Sequence, residues 1–208
     1  MKFEGRREGW LFVMLCMLVV ACTAQMVKEG AETPTPPPAV EPAPAQPESC
    51  ARGTWCYSKI VSPMITNDMM LADVSMACKS APQDRRRLWT SIVQAISYAE
   101  SSYKYDSEYT ENFISDYTGK LAVSVGMLQL SIGDKRKASP NCQALTEAKL
   151  RQAVPNLACG VEIMHWLITR KGSKHSFLDL NAYWSVTRLS NGRFSVFQKK
   201  LKELEPSC

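Results

Sequence analysis

The sequence predicts a mainly α domain with a small β or irregular lobe, stapled by disulfides. Three observations predict it. From Arg85 to Ser101 the apolar residues Leu88, Ile92, Val93, Ile96 and Ala99 recur at helical spacing, and Leu157, Val161, Met164 and Ile168 do the same further on. Between these runs, residues 103 to 130 break the helical period, and Ser124-Val125-Gly126-Met127-Leu128-Gln129-Leu130-Ser131 combines glycine with apolar residues in a non-helical setting. The third observation is cysteine usage. Residues 50 to 208 are one domain's worth of chain, and they carry Cys50, Cys56, Cys78, Cys142, Cys159 and Cys208. An even number of cysteines in an exported domain implies a disulfide framework. Cys142 with Cys159 is the preferred pair, because it brackets one loop and the start of a helix; the other pairings stay open.

Export itself is read from the N-terminus. Met1 to Gly9 carries Lys2, Arg6 and Arg7, and Trp10 to Ala21 is almost wholly apolar. That run is shorter than the roughly 20 residues a membrane span needs. Residues 1–21 therefore read as a secretory signal. The run closes on Val19-Val20-Ala21-Cys22, which resembles a bacterial lipobox, in which the cysteine after the cleavage site carries diacylglycerol. Cys22 is thus the expected lipidation site, and an ordinary signal with an incidental cysteine is the plainer alternative. Thr23 rather than Asp follows it, which points to the outer membrane, facing the periplasm. Residues 22–49 are a proline-rich linker that cannot bury enough apolar surface to fold. Twenty such residues in polyproline II reach on the order of 60 Å, enough to hold a catalytic head away from a bilayer.

The chain carries a formal charge of +5. A mild positive charge suits an anionic cell wall, although each basic cluster taken singly (Arg85-Arg86-Arg87, Lys135-Arg136-Lys137, Lys199-Lys200) reads as solvated surface. Basic and aromatic residues do not interleave as a nucleic-acid surface requires, so no nucleic-acid partner is expected. His165 and His175 stand alone and no CxxC pair occurs, so neither a metal nor another cofactor is expected.

Glu100 is the residue that points to chemistry. It lies four residues after Ile96 and eight after Ile92, on the same face as the apolar stripe. Desolvation there disfavours the charged carboxylate, and the negative end of the helix dipole pushes the same way. A carboxyl kept neutral near neutral pH is what a glycosidase needs to protonate a leaving oxygen. The alternative is a glutamate that curls out to solvent at a fraying helix end.

Ala99-Glu100-Ser101-Ser102 and Gly126-Met127-Leu128-Gln129 together resemble the paired motifs of soluble lytic transglycosylases and goose-type lysozymes, members of the lysozyme-like superfamily. The resemblance continues through Asn156-Leu157-Ala158-Cys159-Gly160, ends near Ala182-Tyr183-Trp184-Ser185, and covers roughly residues 85 to 205. It implies an α+β lysozyme-like catalytic domain over residues 50–208, acting on peptidoglycan glycan strands. Glu100 would be the acid and later the base. Gln129 would bond sugar hydroxyl or acetamido groups, Tyr183 would hold the Glu100 carboxyl, and Ser124 would line the cleft. Plainer readings stand beside these: a turn-stabilising amide for Gln129, core packing for Tyr183, and a helix N-cap for Asn156.

Trp184 departs from the pattern, since many relatives carry Asn there. The stretch between Glu100 and Gly126 is also long, and it holds Asp106, Glu108, Glu111 and Asp116 among aromatic residues. A solvated hairpin is one reading. The other is a second carboxylate for a true hydrolase, with Asp116 and Glu111 the leading candidates. A transglycosylase needs one carboxyl, because the muramyl C6 hydroxyl attacks; a lysozyme needs a base for water. The sequence leans slightly to the transglycosylase. A non-catalytic wall-binding envelope lipoprotein is the third reading.

Overall fold

In the computed structural model the longest helices are laid down where local chemistry starts and stops them. The structure describes Cys50 and residues 56–115, 118–131, 133 and 140–208. The signal segment 1–21, Cys22, the linker 22–49 and Asp116 lie outside the described residues. A π-helical turn, Tyr57–Val61, runs into the short helix α1 (Ser62–Met64), and α2 (Asn67–Leu71) follows, capped by the Thr66 hydroxyl, which accepts from the Met69 N–H. The long helix α3 (Arg85–Ser101) has the bounds its periodicity predicts. The Asp84 carboxylate caps it by accepting from the Arg87 N–H at 2.9 Å. It ends where Ser102 and Tyr103 take left-handed conformations, with φ of 54° and 67°.

A three-stranded antiparallel sheet follows in the order β1-β2-β3, with β1 (Glu108–Ile114), β2 (Leu121–Val125) and β3 (Leu130–Ser131). The register pairs Tyr109 with Ser124 and Thr110 with Val123, then slips by a bulge before Ile114 meets Leu121. Beyond it come α4 (Pro140–Gln143), α5 (Glu147–Leu150) and α6 (Ala153–Thr169). Two 3-10 turns, Phe177–Ala182 and Ser185–Thr187, lead to the last helix, α7 (Phe194–Leu204). The expected class, mainly helical with a small β lobe near residues 103 to 130, describes this architecture, and all described residues belong to one compact unit.

The core lies between α3, α6 and α7. Trp89, Ile92 and Ile96 of α3, Leu157, Val161 and Met164 of α6, and Phe197 and Leu201 of α7 are all buried. The Glu205 carboxylate, only 3% exposed, accepts from the Arg87 guanidinium at 2.9 Å and the Ser91 hydroxyl at 2.7 Å, which fastens the end of α7 to the start of α3. Among the described residues the disulfides are Cys50–Cys56, Cys78–Cys208 and Cys142–Cys159, the last being the expected pair.

Two sequence readings need correction. The Arg85-Arg86-Arg87 cluster is structural rather than simply solvated. Arg85 donates to the carbonyls of Met70 and Ala72, and Arg86 to those of Ser62 and Ile65, so both satisfy helix-end carbonyls. Asn156 is not an N-cap: α6 begins three residues earlier, at Ala153, with Pro155 in its first turn, where a missing N–H costs nothing.

Candidate active site

The turn Gly126-Met127-Leu128-Gln129 links β2 to β3, closed by the Gln129 N–H donating to the Gly126 carbonyl at 3.2 Å. Three distant segments hold it. From the end of α3, the Ser101 hydroxyl donates to the Met127 carbonyl at 2.9 Å. From inside α6, fully buried Asn156 accepts from the Leu128 N–H at 2.8 Å and donates to the carbonyls of Val125 and Leu150. From the 3-10 region, the indole N–H of Trp184 donates to the Leu128 carbonyl at 2.9 Å. The glycines permit this closeness. Gly126 has φ of 78°, and a Cβ there would strike the Asn156 amide and come within 2.7 Å of the Leu150 carbonyl oxygen. At Gly160 a Cβ would run into the Leu128 side chain. The four quoted motifs are therefore four contributors to one cleft floor, and Trp184 fills its place with an indole N–H.

Above this floor lies a cleft with two lobes. One, of about 490 Å³, is lined by Glu100, Glu111, Phe113, Ser124, Gln129 and Tyr183 among others; the second, of about 450 Å³, shares Glu100, Glu111, Asn112, Gln129 and Ser185 with it. Glu100 and Glu111 thus stand where the lobes meet. The Glu100 carboxyl is pushed up to about 7, first by burial. The Arg193 guanidinium pulls it down, the negative charge of Glu111 pushes it up, and a hydrogen bond from the Val186 backbone N–H pulls it down. Burial wins because one weakly hydrated, screened cation offsets only part of the lost solvation. Arg193 also donates to the Glu100 backbone carbonyl at 3.4 Å.

Glu111 comes from β1. Its Oε1 accepts from the Ser124 hydroxyl at 2.6 Å, a diagonal pair across β1 and β2, since Ser124 lies opposite Tyr109. Ser124 thereby does more than line the cleft, because it holds the Glu111 carboxylate. The other acids of the insert are arranged differently. Glu108 pairs with Arg151 at 2.7 Å, an ion pair that Glu147 shares at 2.6 Å, and Asp106 is exposed and lines neither lobe.

Gln129 is the turn-stabilising amide of the plainer reading. Its backbone is left-handed, with φ of 50°, and its Nε2 donates to the carbonyls of Gly126 at 2.8 Å and Ser107 at 3.3 Å, which leaves the amide oxygen as the group it can offer to the cleft. Tyr183 lines the first lobe with its ring against Trp184, centroids 4.4 Å apart. Sequence reasoning missed Arg193, Asn112 and the Val186 N–H. Asn112 lines both lobes because the bulge in β1 turns consecutive residues toward the cleft. Among the described residues no group of three or more His, Cys, Asp or Glu side chains could hold a metal ion.

No family model matches the sequence, and no curated protein matches it. Solved structures do. A wild-type form of DslA (Bd0314), a Bdellovibrio protein, superposes with a TM-score of 0.58 at 21% identity, covering 74% of this chain and 91% of that one. Two glutamate-to-glutamine variants of DslA superpose with TM-scores of 0.56 and 0.59 at 19% and 20% identity, over the same shares. The chain shares a fold with these proteins.

Proposed function

We propose that the chain is a peptidoglycan glycosidase that cleaves the β-1,4 bond between N-acetylmuramic acid and N-acetylglucosamine by hydrolysis, with Glu100 as general acid and Glu111 as general base. The observation that carries the reading is the pair itself: a desolvated carboxyl at about 7 faces a second carboxylate across a two-lobed cleft. In this reading a sugar occupies each lobe and the glycosidic oxygen lies at Glu100. The acid gives its proton to that oxygen as the bond to the anomeric carbon breaks. Glu111, held by Ser124, takes a proton from the water that attacks that carbon, and the product ends in a reducing sugar. The DslA variants add support. Their two substituted glutamates are eleven residues apart in that protein, and the same interval separates Glu100 from Glu111.

A second carboxylate moves the balance away from the transglycosylase toward which the sequence leans. The lysozyme-like motifs of the floor still favour that reaction as the second reading, in which Glu100 suffices and products are 1,6-anhydro sugars. Mass spectrometry of a purified wall digest separates the two. Hydrolysis predicts reducing ends, with cleavage falling at least about 10²-fold in both Glu100→Gln and Glu111→Gln. Anhydro ends with an active Glu111→Gln protein would establish the second reading, and an active Glu100→Gln protein would defeat both. The proposal includes the anchor: Cys22 carries lipid that holds the enzyme at the outer membrane facing the periplasm. A mature N-terminus without a lipid mass would remove it.

A further inference from the structure

Each lobe contains a large aromatic side chain that the protein leaves more than half exposed, whereas the other exposed aromatics among the described residues, Tyr98 and Tyr105, are 36% and 37% exposed. Tyr109 is 61% exposed and lines the second lobe; Phe113 is 54% exposed and lines the first. Both stand on β1, two residues to either side of Glu111. Four residues of strand span about 13 Å at about 3.3 Å each. That is somewhat more than two sugar rings end to end, so the aromatics bracket the point where Glu100 and Glu111 meet. Packing does not account for them: neither joins the hydrophobic core, and burying either would stabilise the fold.

Resting on the glycosidase reading, we propose that Tyr109 and Phe113 are stacking platforms for the hexosamine rings on the two sides of the cleaved bond. The apolar face of a pyranose ring presents C–H groups, whose positive edge is attracted to the negative face of an aromatic ring. The acids between the platforms cannot supply this contact, and the opposite wall gives Arg188 to the first lobe and Arg193 to the second. Each lobe therefore combines an exposed aromatic ring with one guanidinium and the carboxylates that the lobes share. The bulge in β1 lets this come from a single strand, since it turns Glu111, Asn112 and Phe113 to the same cleft.

The test uses the mature full-length chain, with Tyr109→Ala and Phe113→Ala made both in the wild type and in the cleavage-deficient Glu100→Gln background. Circular dichroism verifies the fold, which should survive because both side chains are exposed. Binding of purified glycan strands of defined length to the Glu100→Gln proteins should weaken about tenfold for each alanine. In the wild-type background KM should rise with kcat changed far less, and the sizes of the products from one glycan should shift in opposite directions for the two variants. Tyr109→Phe and Phe113→Tyr should retain wild-type binding. Unchanged binding, KM and product sizes in both alanine variants, with the wild-type protein active, would overturn the platforms and leave the glycosidase standing. A wild-type protein that neither binds nor cleaves glycan would overturn both.

Discussion

The elevated pKa of Glu100 has a cost in stability that a single substitution can measure. The carboxyl sits at about 7 in the folded protein against 4.5 for an ordinary glutamate. The gap is about two and a half pH units, and at about 1.4 kcal/mol per unit the ionised carboxylate penalises the fold by about 3 kcal/mol. The sign follows from proton counts. Between about pH 4.5 and 7 the folded chain binds more protons at this site than the unfolded chain, so raising the pH disfavours folding. The penalty is absent below the unfolded value, grows through this window and is complete above the folded value. Glu100→Gln fills the same space without the charge. Its stability advantage over wild type should be near zero at pH 4, about 1.4 kcal/mol at pH 5.5 and about 3 kcal/mol at pH 8. For a chain of this size that is a rise in Tm of roughly 6–12 °C at pH 8. Urea unfolding of both proteins at the three pH values, with disulfides intact, reads the difference directly. A difference that is flat with pH, or that shrinks as pH rises, would refute the assignment of a desolvated carboxyl to Glu100.

Two further outcomes can be checked. Ser124→Ala removes the hydroxyl that donates to Glu111, so kcat should fall about tenfold with KM steady, because the proposed base loses its orientation; an unchanged kcat would mean that Ser124 has no part in positioning it. The disulfides close loops of 130, 17 and 6 residues, so replacing Cys78–Cys208, Cys142–Cys159 or Cys50–Cys56 by serine pairs should cost about 5, 3 and 2 kcal/mol, in that order, in denaturant titrations. A reversed order would show that loop closure is not what these bridges contribute.

What the sequence could express locally, it expressed. The periodicity of Leu88, Ile92, Ile96 and Ala99 carried both the bounds of α3 and the unusual position of Glu100, because a 3.6-residue repeat is written in adjacent residues. The start of α6 was misread at Asn156 because Pro155 suggests a boundary, whereas proline is at home in a first helical turn. Choosing Glu111 from among its acidic neighbours needed the fold. Glu108 also lines the second lobe but is paired with Arg151, whereas Glu111 is placed by Ser124 and the bulge, and these partners are defined only after the strands pair. Arg193 was invisible for the same reason. It lies 93 residues from Glu100, and nothing near it in the chain distinguishes it from other surface cations.

The two carboxylates are mounted very differently. Glu100 belongs to the frame: its helix is packed into the core, and the neighbouring Ser101 is bolted to the floor turn. Glu111 rides on an arm, a strand exposed at nearly every position and steered by a bulge and one serine. In the proposed reaction the gap between the carboxyls decides whether a water fits between them, so the stereochemical outcome would depend on where the arm sets Glu111. Lengthening or shortening the hairpin by a residue pair would retune that gap without disturbing the acid. In the proposed reaction the scaffold would fix where a glycan is cut, and the hairpin would decide how.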